Sequence, residues 1–164
     1  MAASFSLTAS LRVVPRWVDE LNTVDVIDTT TVADTFALAN GTAAGEANGY
    51  FRDVITIAAG GTATVDLRNL TLNAFGGTGT LSFASIKAIV VRNRSTTATL
   101  SVGGSATNRW SGFAAGAATL APSGCLYSTA PAGLATSASD KVLAITNNGA
   151  AAADVELVLA GVKA

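Results

Sequence analysis

Apolar and polar residues alternate with a period of two along most of this chain. Leu7, Ala9, Leu11 and Val13 alternate with Thr8, Ser10 and Arg12. Ala63, Val65 and Leu67 do the same against Thr64, Asp66 and Arg68. This is the signature of strands with one buried face. Leu81 and Phe83 lead into the longest candidate, where Ile86, Ala88 and Val90 stand opposite Lys87, Ile89 and Val91. Apolar residues on both sides predict a central strand covered on both faces. Further strands are predicted at Ala98, Leu100 and Val102, at Cys125 and Tyr127, and at Val142 and Ala144 opposite Leu143 and Ile145. The last has Val155, Leu157 and Leu159 on one face, with Asp154, Glu156 and Val158 on the other.

Turn chemistry separates these runs. Gly60-Gly61, Gly76-Gly77-Thr78-Gly79, Gly103-Gly104, Pro122-Ser123-Gly124 and Asn147-Asn148-Gly149 supply residues that accept positive φ or a fixed bend. The spacing predicts an all-β chain, an antiparallel β-sandwich of jelly-roll type with about eight main strands. Helical signal is confined to single turns, one opened by Pro15 and one over Ala43 to Asn48. A compositional shift falls near Asn40-Gly41: before it lie five of the eleven acids and the poorly alternating Asp28-Thr29-Thr30-Thr31, and after it the strand pattern is dense. Residues 1–40 are therefore predicted to be an N-terminal arm or peripheral strands, and residues 41–164 the sandwich core.

Composition narrows the function classes. Of 164 residues, 49% are hydrophobic but only 13% are charged, against roughly 25% in an average soluble domain. That excludes a disordered chain. No apolar run approaches the roughly 20 residues of a helical membrane span, so no membrane partner is expected. The net charge is −1 with no block of either sign, which offers no electrostatic footprint for nucleic acid. A near-neutral surface also opposes crowding of copies only weakly. The first residues, Met1-Ala2-Ala3-Ser4-Phe5, show no secretion signal.

The chemistry available is sparse. There is no histidine, which removes Ser-His-Asp and Cys-His catalysis and His-ligated metals. The single cysteine, Cys125, lies in an alternating run and is expected to be a small buried hydrophobe. The glycine cluster at 76–79 leads into a strand rather than the Lys-Ser/Thr helix of a phosphate loop, and is expected to be a turn. No enzyme, metal or cofactor is expected. The candidate assembly contacts are Arg12, Arg16 and Trp17 in the arm, the Arg92-Asn93-Arg94 cluster at a sheet end or edge, and Trp110 in a Gly/Asn-rich loop. For Trp110 the alternative is a cap over the sandwich end.

Several segments are similar to those of a known family. Ala39-Asn40-Gly41-Thr42-Ala43, Ala47-Asn48-Gly49-Tyr50-Phe51-Arg52-Asp53 and Leu72-Asn73-Ala74-Phe75-Gly76 resemble segments of small structural proteins of tailed bacteriophages. So do Ile86-Lys87-Ala88-Ile89-Val90-Val91, Ser101-Val102-Gly103-Gly104, and Asp140-Lys141-Val142-Leu143-Ala144-Ile145-Thr146-Asn147. The likeness spans roughly residues 36–162, and more weakly Ser6 to Val14. Such proteins commonly carry Pro-Gly-Gly before the late strand, where this chain has Pro122-Ser123-Gly124. The resemblance implies a virion component on the capsid surface, assembled in the host cytoplasm. It would be a decoration or cement protein bound to the major capsid protein lattice, and a homo-oligomer with a trimer favoured. A tail- or fibre-associated module that binds a receptor or carbohydrate is the alternative.

Overall fold

A computed structural model describes residues 6–13, 32–74, 77–104, 106–113 and 117–164. The described residues form strands and connecting turns, with no helix. In chain order the strands are β1 (Leu7–Val13), β2 (Val32–Asn40), β3 (Glu46–Ala47), β4 (Gly49–Ile57), β5 (Thr62–Asp66), β6 (Leu70–Ala74) and β7 (Gly77–Leu81). They continue with β8 (Phe83–Asn93), β9 (Leu100–Val102), β10 (Ala118–Leu120), β11 (Cys125–Ala135), β12 (Val142–Asn147) and β13 (Ala153–Lys163).

Two four-stranded antiparallel sheets carry the molecule. Their orders are β11-β8-β13-β4 and β10-β9-β12-β5. The alternating residues of both meet in one apolar cluster. Phe51, Ile89, Val91, Val155, Leu157 and Leu159 come from the first sheet, and Val65, Leu100, Val102, Leu143 and Ile145 from the second. The period-two pattern of β13 and β12 is what directs these side chains inward. β6 and β7 form a separate antiparallel pair, so Gly77 and Gly79 are strand residues rather than the expected turn. Ladder pairing with Ala74 and Leu72 overrides the turn preference of the glycines.

The expected face assignment of β8 also needs correction. Ile86, Ile89 and Val91 all join the core, because Lys87 is skipped between Ala88↔Ala160 and Ile86↔Gly161 in the pairing with β13. Such a bulge shifts the alternation by one residue. Gly161 is required there, since a Cβ would collide with the Ser85 carbonyl oxygen. Lys87 itself is 3% exposed. Its Nζ donates to the carbonyls of Ala43 (3.2 Å), Pro131 (2.9 Å) and Ala132 (3.0 Å). All three ammonium protons are thus used, which is the condition for burying such a group.

Those carbonyls tie the β2–β3 connection to β11. The connection is a turn leading into β3, not the helical turn expected over Ala43 to Asn48. β1 and β2 form an antiparallel ribbon from Leu7↔Leu38 to Val13↔Val32, and β2 continues in parallel to β3. Leu38, Phe36 and Leu7 pack with Ala47, Ala88 and Ala160 in a second, smaller cluster. The base of the ribbon therefore rests on the side of the β11-β8-β13-β4 sheet that faces away from the main core.

Candidate functional site

The outer face of the β11-β8-β13-β4 sheet is built from three registered rows. Thr129, Ala88, Ala160 and Tyr50 form the first, Tyr127, Val90, Val158 and Arg52 the second, and Cys125, Arg92, Glu156 and Val54 the third. The ribbon covers the two alanines of the first row. Among the described residues, no second cluster covers the other two rows in this way. Tyr50, Val54 and Tyr127, the exposed large hydrophobics among the described residues at 42%, 39% and 39%, all belong to this face. Their gathering on one side of one sheet departs from the scatter normal for a soluble surface.

Charge is arranged in columns beside them. Arg92 on β8 and Arg94 just beyond it are exposed, and Asp154 and Glu156 stand on the neighbouring β13. Arg52 Nε donates to Glu156 Oε1 at 2.8 Å. That hydrogen bond raises Arg52 and holds the Glu156 carboxyl below its ordinary range, where the nearby charges of Arg94 and Arg92 lower it further. Asp154 accepts from Thr56 Oγ1 at 2.7 Å. The remaining described carboxylates are engaged elsewhere: Glu46 by the Ala43 N–H, Asp53 by the Val54 N–H, Asp66 by Lys141, and Asp140 by Ser111. Arg92 and Arg94 make no side-chain hydrogen bond or ion pair among the described residues.

The residues singled out in the sequence are placed as follows. Arg92 and Arg94 sit at the end of a central strand rather than on a sheet edge. Arg12 pairs through its backbone with Ala33 in the ribbon, and Arg16 and Trp17 lie outside the described residues. Trp110 is a core residue, not a contact: it is 1% exposed and its Nε1 donates to the Ala135 carbonyl at 2.9 Å. Its Gly/Asn-rich setting reads as surface, but the backbone N–H bonded to the Val142 carbonyl turns the indole inward. Cys125 is exposed, contrary to expectation. Its run alternates, but it belongs to the outward phase that also contains Tyr127.

Arg52, Val54, Tyr50, Tyr127 and Glu156 were not legible as a site, because they are brought together only by strand order. The opposite sheet carries a hollow of about 420 Å³ lined by Thr62, Thr64, Ala106, Thr107, Val142 and Ala144. Its lining offers hydroxyls and methyls, with no acid or base. No group of three or more metal-ligating side chains occurs among the described residues. In comparisons with known proteins, the chain matches no family model, and no curated protein matches it significantly.

Proposed function

We propose that the protein is a non-enzymatic structural component of a tailed-phage virion, a decoration or cement protein that binds the capsid lattice and reinforces it. The observation that carries this reading is the outer face of the β11-β8-β13-β4 sheet, with its exposed tyrosines and valine beside the exposed Arg92 and Arg94. Tyrosine and arginine are the side chains that most often anchor protein–protein contacts. The surrounding Ala, Val and Thr residues lose little rotamer entropy when covered. The segments that resemble small tailed-phage structural proteins supply the virion setting.

The same reading extends to the fold, which we take to be a jelly-roll sandwich. Number the strands of the two large sheets one to eight in chain order, from β4 to β13. One sheet then runs six-three-eight-one and the other five-four-seven-two. A jelly roll distributes its eight strands in this order. Electron microscopy of particles carrying a labelled copy of the chain tests the function. Labels over the whole capsid surface are expected. Labels at one vertex would move the protein to the tail, and unlabelled particles would overturn a virion role.

A further inference from the structure

We propose that Asn40 is a self-modification site, converted through a cyclic imide to aspartate and isoaspartate, and that the isoaspartate form loosens the base of the ribbon. The chain has three Asn-Gly pairs, at residues 40–41, 48–49 and 148–149. In each, the missing side chain of glycine leaves its backbone nitrogen open to the asparagine side chain. The chemistry needs no other residue. Hydroxide removes the glycine N–H proton, and the nitrogen forms a bond to the asparagine Cγ. The Cγ–Nδ2 bond breaks, and Nδ2 takes a proton from water and leaves as ammonia. Water then opens the imide. Attack at Cγ gives aspartate; attack at the backbone carbonyl carbon gives isoaspartate, in which the main chain runs through Cγ.

The structure separates the three pairs. Asn148 Nδ2 donates to Ser101 Oγ at 2.7 Å, and the Gly149 N–H donates to Asn147 Oδ1 at 2.9 Å. A Cβ at Gly149 would stand 2.6 Å from the Ala98 Cβ, so this pair is also tightly packed. Asn48 Oδ1 accepts from the Lys163 N–H at 2.8 Å, and Gly49 is buried against Phe83 and Lys163. Asn40 differs. It is exposed, and its side chain makes no hydrogen bond among the described residues. Only the Gly41 N–H is engaged, donating to the Ala47 carbonyl at 3.1 Å. That bond belongs to the two-residue β2–β3 pairing, and so short a ladder opens more readily than the long ones of β4 and β13. Gly41 is held at φ +152°, which other residues rarely adopt, so the reactive pair is part of the fold.

The product would act on the ribbon. Asn40 lies opposite Ala47, and Leu38 and Ala47 pack with Ala88 and Ala160 beneath the ribbon. Isoaspartate adds one backbone carbon, about 1.5 Å of chain, between Leu38 and Ala47. The register that seats both side chains is then lost.

The test incubates the full-length protein in warm, mildly alkaline buffer, folded and in urea, and locates the products by peptide mass spectrometry with isoaspartyl methyltransferase. In the folded protein Asn40 should convert at least tenfold faster than Asn48 and Asn148, and Asn40→Gln should remove the product. In urea the three should react at similar rates. Asn40 converting no faster than Asn48 or Asn148 in the folded protein would overturn the site. A tenfold preference that persists in urea would assign it to local sequence and overturn the structural argument. The isoaspartate form, isolated by ion exchange, should exchange its Ala39 and Gly41 amide hydrogens at least tenfold faster than fresh protein. Unchanged exchange there would overturn the loosening of the ribbon.

Discussion

At the scale of single residues, Lys87 and the carboxylates define what holds the molecule together. Three carbonyls, one from the β2–β3 connection and two from β11, converge on the Lys87 ammonium. Lys87→Met keeps the apolar stem but leaves those oxygens without their donor. It should lower unfolding free energy by about 1–3 kcal/mol, measured by chemical denaturation. Cys125→Ala is the contrasting case. Cys125 is exposed, so the change should stay within about 0.5 kcal/mol. The acids give a pH dependence. Burial pushes Asp66 up, but hydrogen bonds from Lys141 and the Arg68 N–H outweigh it and leave the carboxyl below its ordinary 3.8. Glu156 is held below 4.5, chiefly by Arg52. A carboxyl lowered in the folded state stabilises it above its unfolded value and loses that contribution as pH falls through the folded value. The melting temperature should therefore decline as pH drops from about 4.5 downward, and Arg52→Gln should shrink the Glu156 part of the decline. A melting temperature flat through that window would contradict these pairings.

At the scale of elements, the ribbon stands outside the two large sheets. Neither β1 nor β2 is a member of either four-stranded sheet, and the ribbon base adds Leu38 to a cluster with Ala88 and Ala160. A chain beginning at Gly41 should keep a β-type far-UV circular dichroism spectrum and unfold cooperatively. Its stability should fall by at least about 1.5–3 kcal/mol, the burial of Leu38 alone, with Phe36 and Leu7 adding to the loss. Aggregation or loss of the spectrum would show that the ribbon is integral to the fold. The strands that sequence alone makes visible are those whose alternation matches a two-sided environment. In β13, Val155, Leu157 and Leu159 alternate cleanly because one face meets the core and the other meets solvent or ribbon. β11 was visible only at its start, because Pro131 and Gly133 read as strand breakers. They are tolerated because β11 is an edge strand with an irregular register between Thr129 and Leu134. The site was legible only in Arg92 and Arg94. Tyr50, Val54, Tyr127 and Glu156 come from three strands far apart in sequence, and no local pattern marks them as neighbours.

At the scale of the whole molecule, the two sheets divide their labours. Their inner faces supply one apolar core, and the outer face of the β11-β8-β13-β4 sheet presents the exposed aromatic, valine and arginine side chains. The opposite outer face is rich in threonine hydroxyls around its shallow hollow. A contact repeated over many copies can be weak at each point and firm in sum, because every contact after the first is effectively intramolecular. The central claim is that the arginine-bearing face is covered by protein in the assembled state. The rate at which a maleimide labels Cys125 in assembled particles, compared with the urea-unfolded chain, tests it most directly. Labelling slowed at least tenfold in the particle is expected. A thiol that reacts in the particle as fast as in the unfolded chain would place this face in solvent and contradict the claim.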